Sequence, residues 1–485
     1  MTRAFAWAWI ALCVALCGAC DSSSSAPPLT REQMLDPENC KDCHPKHYEE
    51  WSSSMHAYAG RDPVFLAMNK RGQEQANLRE FCVNCHAPMA VRENKIDNFA
   101  DLSDVPQHLM GVTCYVCHNA IGYKEPHNNA NITLADDTIM RGALNRPLKP
   151  TAHDVAPEKS RFHDADQMDS SMLCGTCHDI VVPNGTHIER TLAEYLESVN
   201  AKPGDGFNSC NDCHMKRKRI QEPAAPGYPG VAARDVHSHL WPAVDVALTP
   251  DMPNQDALRS AIESCELQAG TLGHFEVVFG NSLPGEPFAF TVQIEQLAGH
   301  KYPSGASADR RLWLELVAYD QAGQVVLQTG QIADGELEEK PAGDPKHDPQ
   351  FQPFRDYWTD AQGKETHMFW EAAKFESLQL PAATQPNIPH YGERSFVTNR
   401  PMTRPPERIE LWLRLRPMGV DVLQDLVKSG HLDPAVVDKM PTFTVTHQEA
   451  TLVYEERRYK MKELSMPDCD TFECMLDPDL PFCNR

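Results

Sequence analysis

Five copies of one pentapeptide constrain this chain more than any other feature. They are Cys40-Lys41-Asp42-Cys43-His44, Cys82-Val83-Asn84-Cys85-His86, Cys114-Tyr115-Val116-Cys117-His118, Cys174-Gly175-Thr176-Cys177-His178 and Cys210-Asn211-Asp212-Cys213-His214. Each reads C-x-x-C-H, the attachment signature of a c-type haem. The spacing follows from the chemistry. Two thiols add to the two vinyl groups of one macrocycle, and two intervening residues let the loop span the ring edge. The adjacent histidine then lies under the ring as an axial nitrogen ligand. Structural zinc fits less well, because zinc ribbons use C-x-x-C pairs two at a time and five pairs leave one over. Neither zinc nor a disulfide requires a histidine after every second cysteine. The expectation is five covalent haems c, on Cys40, Cys43, Cys82, Cys85, Cys114, Cys117, Cys174, Cys177, Cys210 and Cys213. His44, His86, His118, His178 and His214 are then the proximal iron ligands.

The motifs occupy residues 40–214, too little chain to wrap a separate fold around each haem. The haems must themselves form the core, close together and linked by short helices and loops. The spacing of Tyr48, Trp51, Met55 and Tyr58 predicts a helix over Pro45 to Ala59, with proline at its start. Leu192, Tyr195, Leu196 and Val199 predict a second, from about Glu189 to Asn200. Pro203 to Phe207 and Pro223 to Gly230 read as loops.

The sixth ligand of each iron decides what it does. A second histidine gives a closed, low-potential centre, methionine raises the potential, and an open position permits catalysis. His47, His56, His108, His127, His153, His163, His187, His237 and His239 are the candidates near the motifs. On one continuous helix His47 and His56 would point to opposite faces, and His56 is the better distal ligand. Lys216-Arg217-Lys218-Arg219 follows the fifth motif; it reads equally as a neutraliser of haem propionates and as a solvated charge run.

The stretch Cys40-x-x-Cys43-His44-x-x-x-Tyr48-x-x-Trp51-x-x-Ser54-x-His56 resembles multihaem cytochromes of the cytochrome c-554-like and hydroxylamine-oxidoreductase-like group. So do Gly111-Val112-Thr113-Cys114, Leu173-Cys174-Gly175-Thr176-Cys177-His178-Asp179 and Cys213-His214-Met215. The resemblance spans about residues 38 to 245. It implies His56 as a distal ligand, His239 in the segment Arg234-Asp235-Val236-His237-Ser238-His239 as another, and His163 in a similar slot. Catalytic relatives often carry a lysine-ligated C-x-x-C-K haem, a tyrosine cross-link or more haems. This chain has no C-x-x-C-K, which favours an electron carrier over an enzyme.

Beyond about Pro250 the texture changes to period-two alternation. Phe288, Phe290, Val292 and Ile294 alternate, as do Leu312, Leu314 and Leu316, and Ile409, Leu411, Leu413 and Leu415. Asp320 to Gly323 reads as a hairpin turn, Asp421 to Gly430 as a short helix, and Thr442 to Tyr454 as the last strand. The fold class expected is mixed: a loop- and helix-rich multihaem domain followed by an antiparallel β-sandwich. The loop Ala298-Gly299-His300-Lys301-Tyr302-Pro303-Ser304-Gly305 resembles a Gly-His-Lys element of β-domains fused to multihaem cytochromes. Two readings of His300 stand: a distal ligand reaching across the domain interface, or a turn residue. His274, His347, His367, His390, His431 and His447 have no such context and default to the surface.

At the amino end Arg3 precedes a short apolar run, Ala4 to Ala19, which reads as a secretory signal. Leu16-Cys17-Gly18-Ala19-Cys20 resembles a lipobox, in which Cys20 would carry a lipid anchor; ordinary cleavage near Ala19 is the alternative. Residues 21–37 form a flexible tether. Of the 17 cysteines, Cys13, Cys17 and Cys20 fall in this segment and ten in the motifs. Cys265, Cys469, Cys474 and Cys483 remain for two disulfides of open connectivity, one of them tying the tail to Cys265. The expected segments are 1–20 signal, 21–37 tether, 38–250 haem domain, 255–460 β-domain and 461–485 tail. A formal net charge of −23 argues against nucleic acid and suggests redox partners with basic patches. The expectation is an exported, periplasmic or cell-surface electron-transfer protein. The alternatives are a reductase or oxidase of a small nitrogen or sulfur species at one open haem, or a surface-binding module whose β-domain recognises the electron acceptor.

Overall fold

The computed structural model describes residues 28–142, 152–182, 185–204, 206–215, 217–228, 231–263, 272–280, 282–283, 285–386, 388 and 390–464. The proposed signal, Cys20, Cys265 and the three tail cysteines lie outside the described residues. The first half is built of short helical turns and small hairpins; the second is dominated by two antiparallel sheets.

The helix expected over Pro45 to Ala59 is broken. Helix α1 spans Pro45–Ser52 and α2 spans Met55–Tyr58. The break lies at a serine run: Ser52 and Ser53 hydroxyls both donate to the Glu49 carbonyl, and Ser54 to the Trp51 carbonyl. Such bonds compete with helix propagation, and Ser54 then caps the new helix through the Ala57 amide. His47 and His56 therefore sit on separate helices. Helix α3, Pro63–Ala76, follows, started by Asp62 and proline and ended by Asn77 in the left-handed region.

After the fourth motif, strands β1 (Ile180–Val181) and β2 (His187–Glu189) form a hairpin. Helix α4, Thr191–Glu197, is shorter than expected because Ser198 is extended; a 3-10 turn, Val199–Ala201, completes the stripe. Helix α5 spans Gln255–Ile262.

Three strands, β3 (Leu272–Phe279), β4 (Glu286–Gln296) and β7 (Gly392–Met402), make one sheet in the order β7-β4-β3. The second contains β5 (Arg311–Tyr319), β6 (Val325–Thr329), β8 (Arg408–Arg416), β9 (Phe443–Val453) and β10 (Arg458–Glu463), ordered β6-β5-β8-β9-β10, with Pro353–Phe354 also paired to β5. The 320–323 turn joins β5 to β6 as expected. Strand β9 is not the last, since β10 pairs with it after Arg457 turns the chain in the left-handed region. The expected Asp421 to Gly430 helix is α6, Val420–Lys428. Phe290, Val292, Ile294 and Phe396 of the first sheet share one buried cluster with Leu312, Leu314, Leu316, Leu411, Leu413 and Leu415 of the second. Each such side chain contributes about 1.5–3 kcal/mol by leaving water.

The sheet half grips the haem-motif half. Leu423 and Leu426 of α6 pack with Val64 and Ala67 of α3. Arg71 pairs with Asp425 at 3.2 Å, and His431 with Glu74 at 2.9 Å. His367 and His390 are likewise held in ion pairs, and His447 stacks on Trp412 at 4.4 Å, so these histidines are not the free surface groups expected.

Candidate haem centres

Each motif occupies one short helical turn. The five turns lie at or beside Pro37–Cys40, Val83–His86, Cys114–His118, Met168–Gly175 and Cys210–His214. The ten motif cysteines are free thiols, none bridged to its neighbour. Among the described residues no motif brings its cysteines and histidine to one point as a metal ion would require; the group that converges within 4.8 Å is Glu365, His367 and Asp421. That trio is an ion-pair network, because Arg311 holds both Asp421 oxygens at 2.7 Å and Arg355 pairs with Glu365. Splayed thiols beside a histidine fit a large ring attached at its edge, not zinc.

The histidines carry the matching tautomer. Nδ1 of His44 donates to the Ala224 carbonyl at 2.7 Å, His86 to Ala59 at 2.9 Å, His118 to Arg141 at 2.6 Å and His214 to Pro242 at 3.1 Å. His178 instead donates to Glu189 Oε1 at 2.9 Å. With Nδ1 engaged in a hydrogen bond, Nε2 is the nitrogen that each of the five would offer a metal.

Four of the five face a second histidine. A ring centroid stands roughly 3 Å from a metal bound at Nε2, so two imidazoles sharing one iron have centroids about 6–6.5 Å apart. The separations are 6.3 Å for His44 and His153, 6.3 Å for His118 and His239, 6.3 Å for His178 and His56, and 6.4 Å for His214 and His300. His47 is 6.1 Å from His44, but three residues away in the same turn it leaves no room for a macrocycle between them. Burial draws the His56 imidazole down to about 3 and His214 to about 4, and His239 falls well below its usual value. The neutral, lone-pair-bearing form is the one present.

Tertiary contacts set these pairs. Val112 donates its amide to the His56 carbonyl at 2.8 Å, and the Trp51 indole donates to the Val112 carbonyl at 2.8 Å. Gly111 permits this approach: its φ is +90°, and a Cβ there would lie 2.7 Å from the carbonyl oxygens of His56 and Ala57. His239 is fixed by its amide on Glu50 of α1 at 2.8 Å, and Trp241 packs edge-on against both His56 and His239. The His300 loop is pinned to α4: Ser304 Oγ and the Lys301 amide donate to Glu194, and the Gly305 amide to Thr191.

The second motif differs. Phe65 lies flat on His86, centroids 4.0 Å apart and planes 4° apart, and among the described residues no second imidazole stands across from His86 at that spacing. The motifs also touch one another. The thiols of Cys40 and Cys114, of Cys85 and Cys177, and of Cys174 and Cys210 lie close enough to shift one another's ionisation. The first site thus abuts the third, and the fourth abuts both the second and the fifth.

Residues 39–119 match the family model described as cytochrome c554 and c-prime. The matched stretch holds the first three motifs, so this part of the chain is similar to c-type cytochromes of that family. A solved structure of similar fold is the penta-haem cytochrome c552 from Thermochromatium tepidum, with a TM-score of 0.55 and 19% identity over 87% of this chain and 100% of that one. At that identity the likeness is one of fold. No curated protein matches the chain by sequence. The general role of such a cytochrome is electron transfer.

Two residues that sequence reasoning did not single out sit at the centres of this cytochrome. His153 stands opposite His44 at 6.3 Å. His163, expected as a distal ligand upstream of the fourth motif, stacks on His118 at 4.9 Å with Nδ1 on Ser160 Oγ at 3.0 Å and Nε2 buried without a hydrogen-bond partner. Glu189 is the second; nothing in its local pattern distinguishes it from a strand-end carboxylate. Burial, the largest influence, works against the charge on both partners. The Glu189 charge and hydrogen bond nevertheless raise His178 to about 9 and hold Glu189 below its usual range. His127 donates through Nε2 to the Met172 carbonyl at 2.6 Å, which leaves its Nδ1 buried without a hydrogen-bond partner. Lys216 lies outside the described residues, and the chain from Arg217 onward is a strand.

Proposed function

We propose that this cytochrome carries five haems c and relays electrons between partners outside the cytoplasm. The observation that carries the reading is the set of five Nδ1-bonded motif histidines, four of them facing a second histidine at 6.3–6.4 Å. Bound there, each haem iron supplies a ferric/ferrous couple. The protein's part is to hold His44 with His153, His118 with His239, His178 with His56 and His214 with His300. His163 is a packing residue in this assignment. The thiol contacts support a route from the first site to the third, and a fourth site adjoining the second and fifth. The Thermochromatium protein of similar fold is a penta-haem cytochrome, which supports the count.

The two sheets form a sandwich whose Gly299–Gly305 loop closes the fifth centre. Export through the amino-terminal apolar run, a lipid anchor at Cys20, disulfides among the four spare cysteines and cationic redox partners complete the proposal. Mass spectrometry of the mature protein tests it: five haem additions are expected, and four or fewer would reject it.

A second reading rests on His86. With no histidine across from it among the described residues, its iron is the place where a small nitrogen or sulfur species would bind. Carbon monoxide added to the reduced protein should perturb one haem in five. If no haem responds, the enzyme reading falls and the carrier stands alone.

A further inference from the structure

We infer that Glu189 is an anionic tuning residue, which sets the haem on Cys174, Cys177 and His178 at a lower reduction potential than it would otherwise have. The inference rests on the five-haem reading. Four proximal histidines donate to neutral carbonyl oxygens; His178 alone donates to a carboxylate. A carboxylate draws the Nδ1 proton more strongly than a carbonyl does. The imidazole then becomes a stronger donor at Nε2, and a stronger donor favours the ferric iron.

The arrangement is built into the fold. The β1–β2 hairpin pairs Ile180 with Glu189, so the chain leaving the motif returns to place the carboxylate beside the histidine it has just passed. The Leu192 amide donates to the His178 carbonyl at 3.1 Å and closes the return. Glu189 is 13% exposed, and the Thr191 hydroxyl donates to the same Oε1 at 3.4 Å. The neighbouring cation is directed elsewhere: Arg190 bonds Asp179 at 3.0 Å and contacts His187 at 3.0 Å. Arg310, whose Nε donates to the Ser304 carbonyl at 2.8 Å, acts on Glu189 only through space, so His178 is the charged group's ring partner by hydrogen bond.

The location gives the charge a consequence. The fourth site adjoins the second and the fifth through Cys177 and Cys174. A low-potential junction holds electrons only in passing and leaves them on its neighbours, among them the His86 site.

The test is a spectroelectrochemical titration of the whole five-haem protein and its Glu189→Gln variant. Glutamine keeps the length and the accepting oxygen but removes the charge. One component of five should move to higher potential while the others stay in place, and Glu189→Asp should return it part of the way. Superimposable titrations with five haems present in both proteins would overturn the inference. Fewer than five haems in the unaltered protein would instead reject the five-haem reading. If the glutamine variant fails to mature, Glu189→Asp alone is decisive. It keeps the charge but withdraws it from Nδ1, so a smaller rise in one component is expected and no rise overturns the inference.

Discussion

At the scale of single residues the consequential decisions are which histidines meet. His300 is the sharpest case, because it comes from the sheet half and faces His214 with ring planes only 16° apart. His300→Ala should leave the haem count unchanged while one further haem becomes high-spin and binds carbon monoxide, read by optical and electron paramagnetic resonance spectra. An unchanged spectrum would remove His300 from the iron. His153 and His163 make a matched pair. His153→Ala should open one low-spin centre, whereas His163→Ala, which removes only a ring stacked on His118, should leave every centre low-spin. The opposite pattern in the same spectra would restore His163 as the ligand. The sequence made both available and favoured His163 by resemblance to a motif slot, a criterion that does not include where the 152–163 segment runs.

At the scale of elements, the α1–α2 break and the Gly111 crossing work together. The serine run frees α2 to turn, and the 110–112 segment passes directly over its first residue. Gly60 shares the same crowded point, since a Cβ there would meet the Gly111 nitrogen at 2.8 Å and the His86 carbonyl oxygen at 3.0 Å. Gly111→Ala places a Cβ against two backbone oxygens at a φ that favours glycine, a strain of about 1–3 kcal/mol. His56 should shift from His178, so the variant should show a lower denaturation midpoint and partial loss of one low-spin signal. Retention of both would mean that His56 is held by other contacts. The motif Gly111-Val112-Thr113-Cys114 was legible in the sequence; its glycine's reason was not, because that reason is another segment's backbone.

For the whole molecule the question is how two halves stay registered while ligands cross between them. One brace is Arg71 of α3 on Asp425 of α6, and within the sheet half His367 supports α6 by reaching Asp421 at 3.3 Å and Asp425 at 3.6 Å, beside Arg311, Arg355 and the buried Asp309. Burial is the largest influence and opposes its charge, but the Asp421 hydrogen bond and charge raise its pKa overall. A histidine whose folded pKa lies above its unfolded value of about 6.5 stabilises fully below that value. The contribution is lost as pH rises through the folded value. Stability to denaturant should therefore fall as pH climbs above about 6.5, and His367→Gln should flatten that slope. An equal slope in both proteins would exclude His367 as its source.

The sequence by itself determined the five C-x-x-C-H motifs, each with its histidine, and the alternating strands. Each is local: two thiols and a histidine within five residues, or side chains repeating every second position along one strand. Tertiary structure alone decided which histidines face one another, which motifs lie side by side and that His178 bonds a carboxylate. His56 meets His178, and His300 meets His214, across long stretches of chain. Serine breaks, glycine crossings and the pinning of one loop by Glu194 bring them together. The physical reason is that a second axial bond needs a nitrogen at the right point in space, and only packing supplies that point.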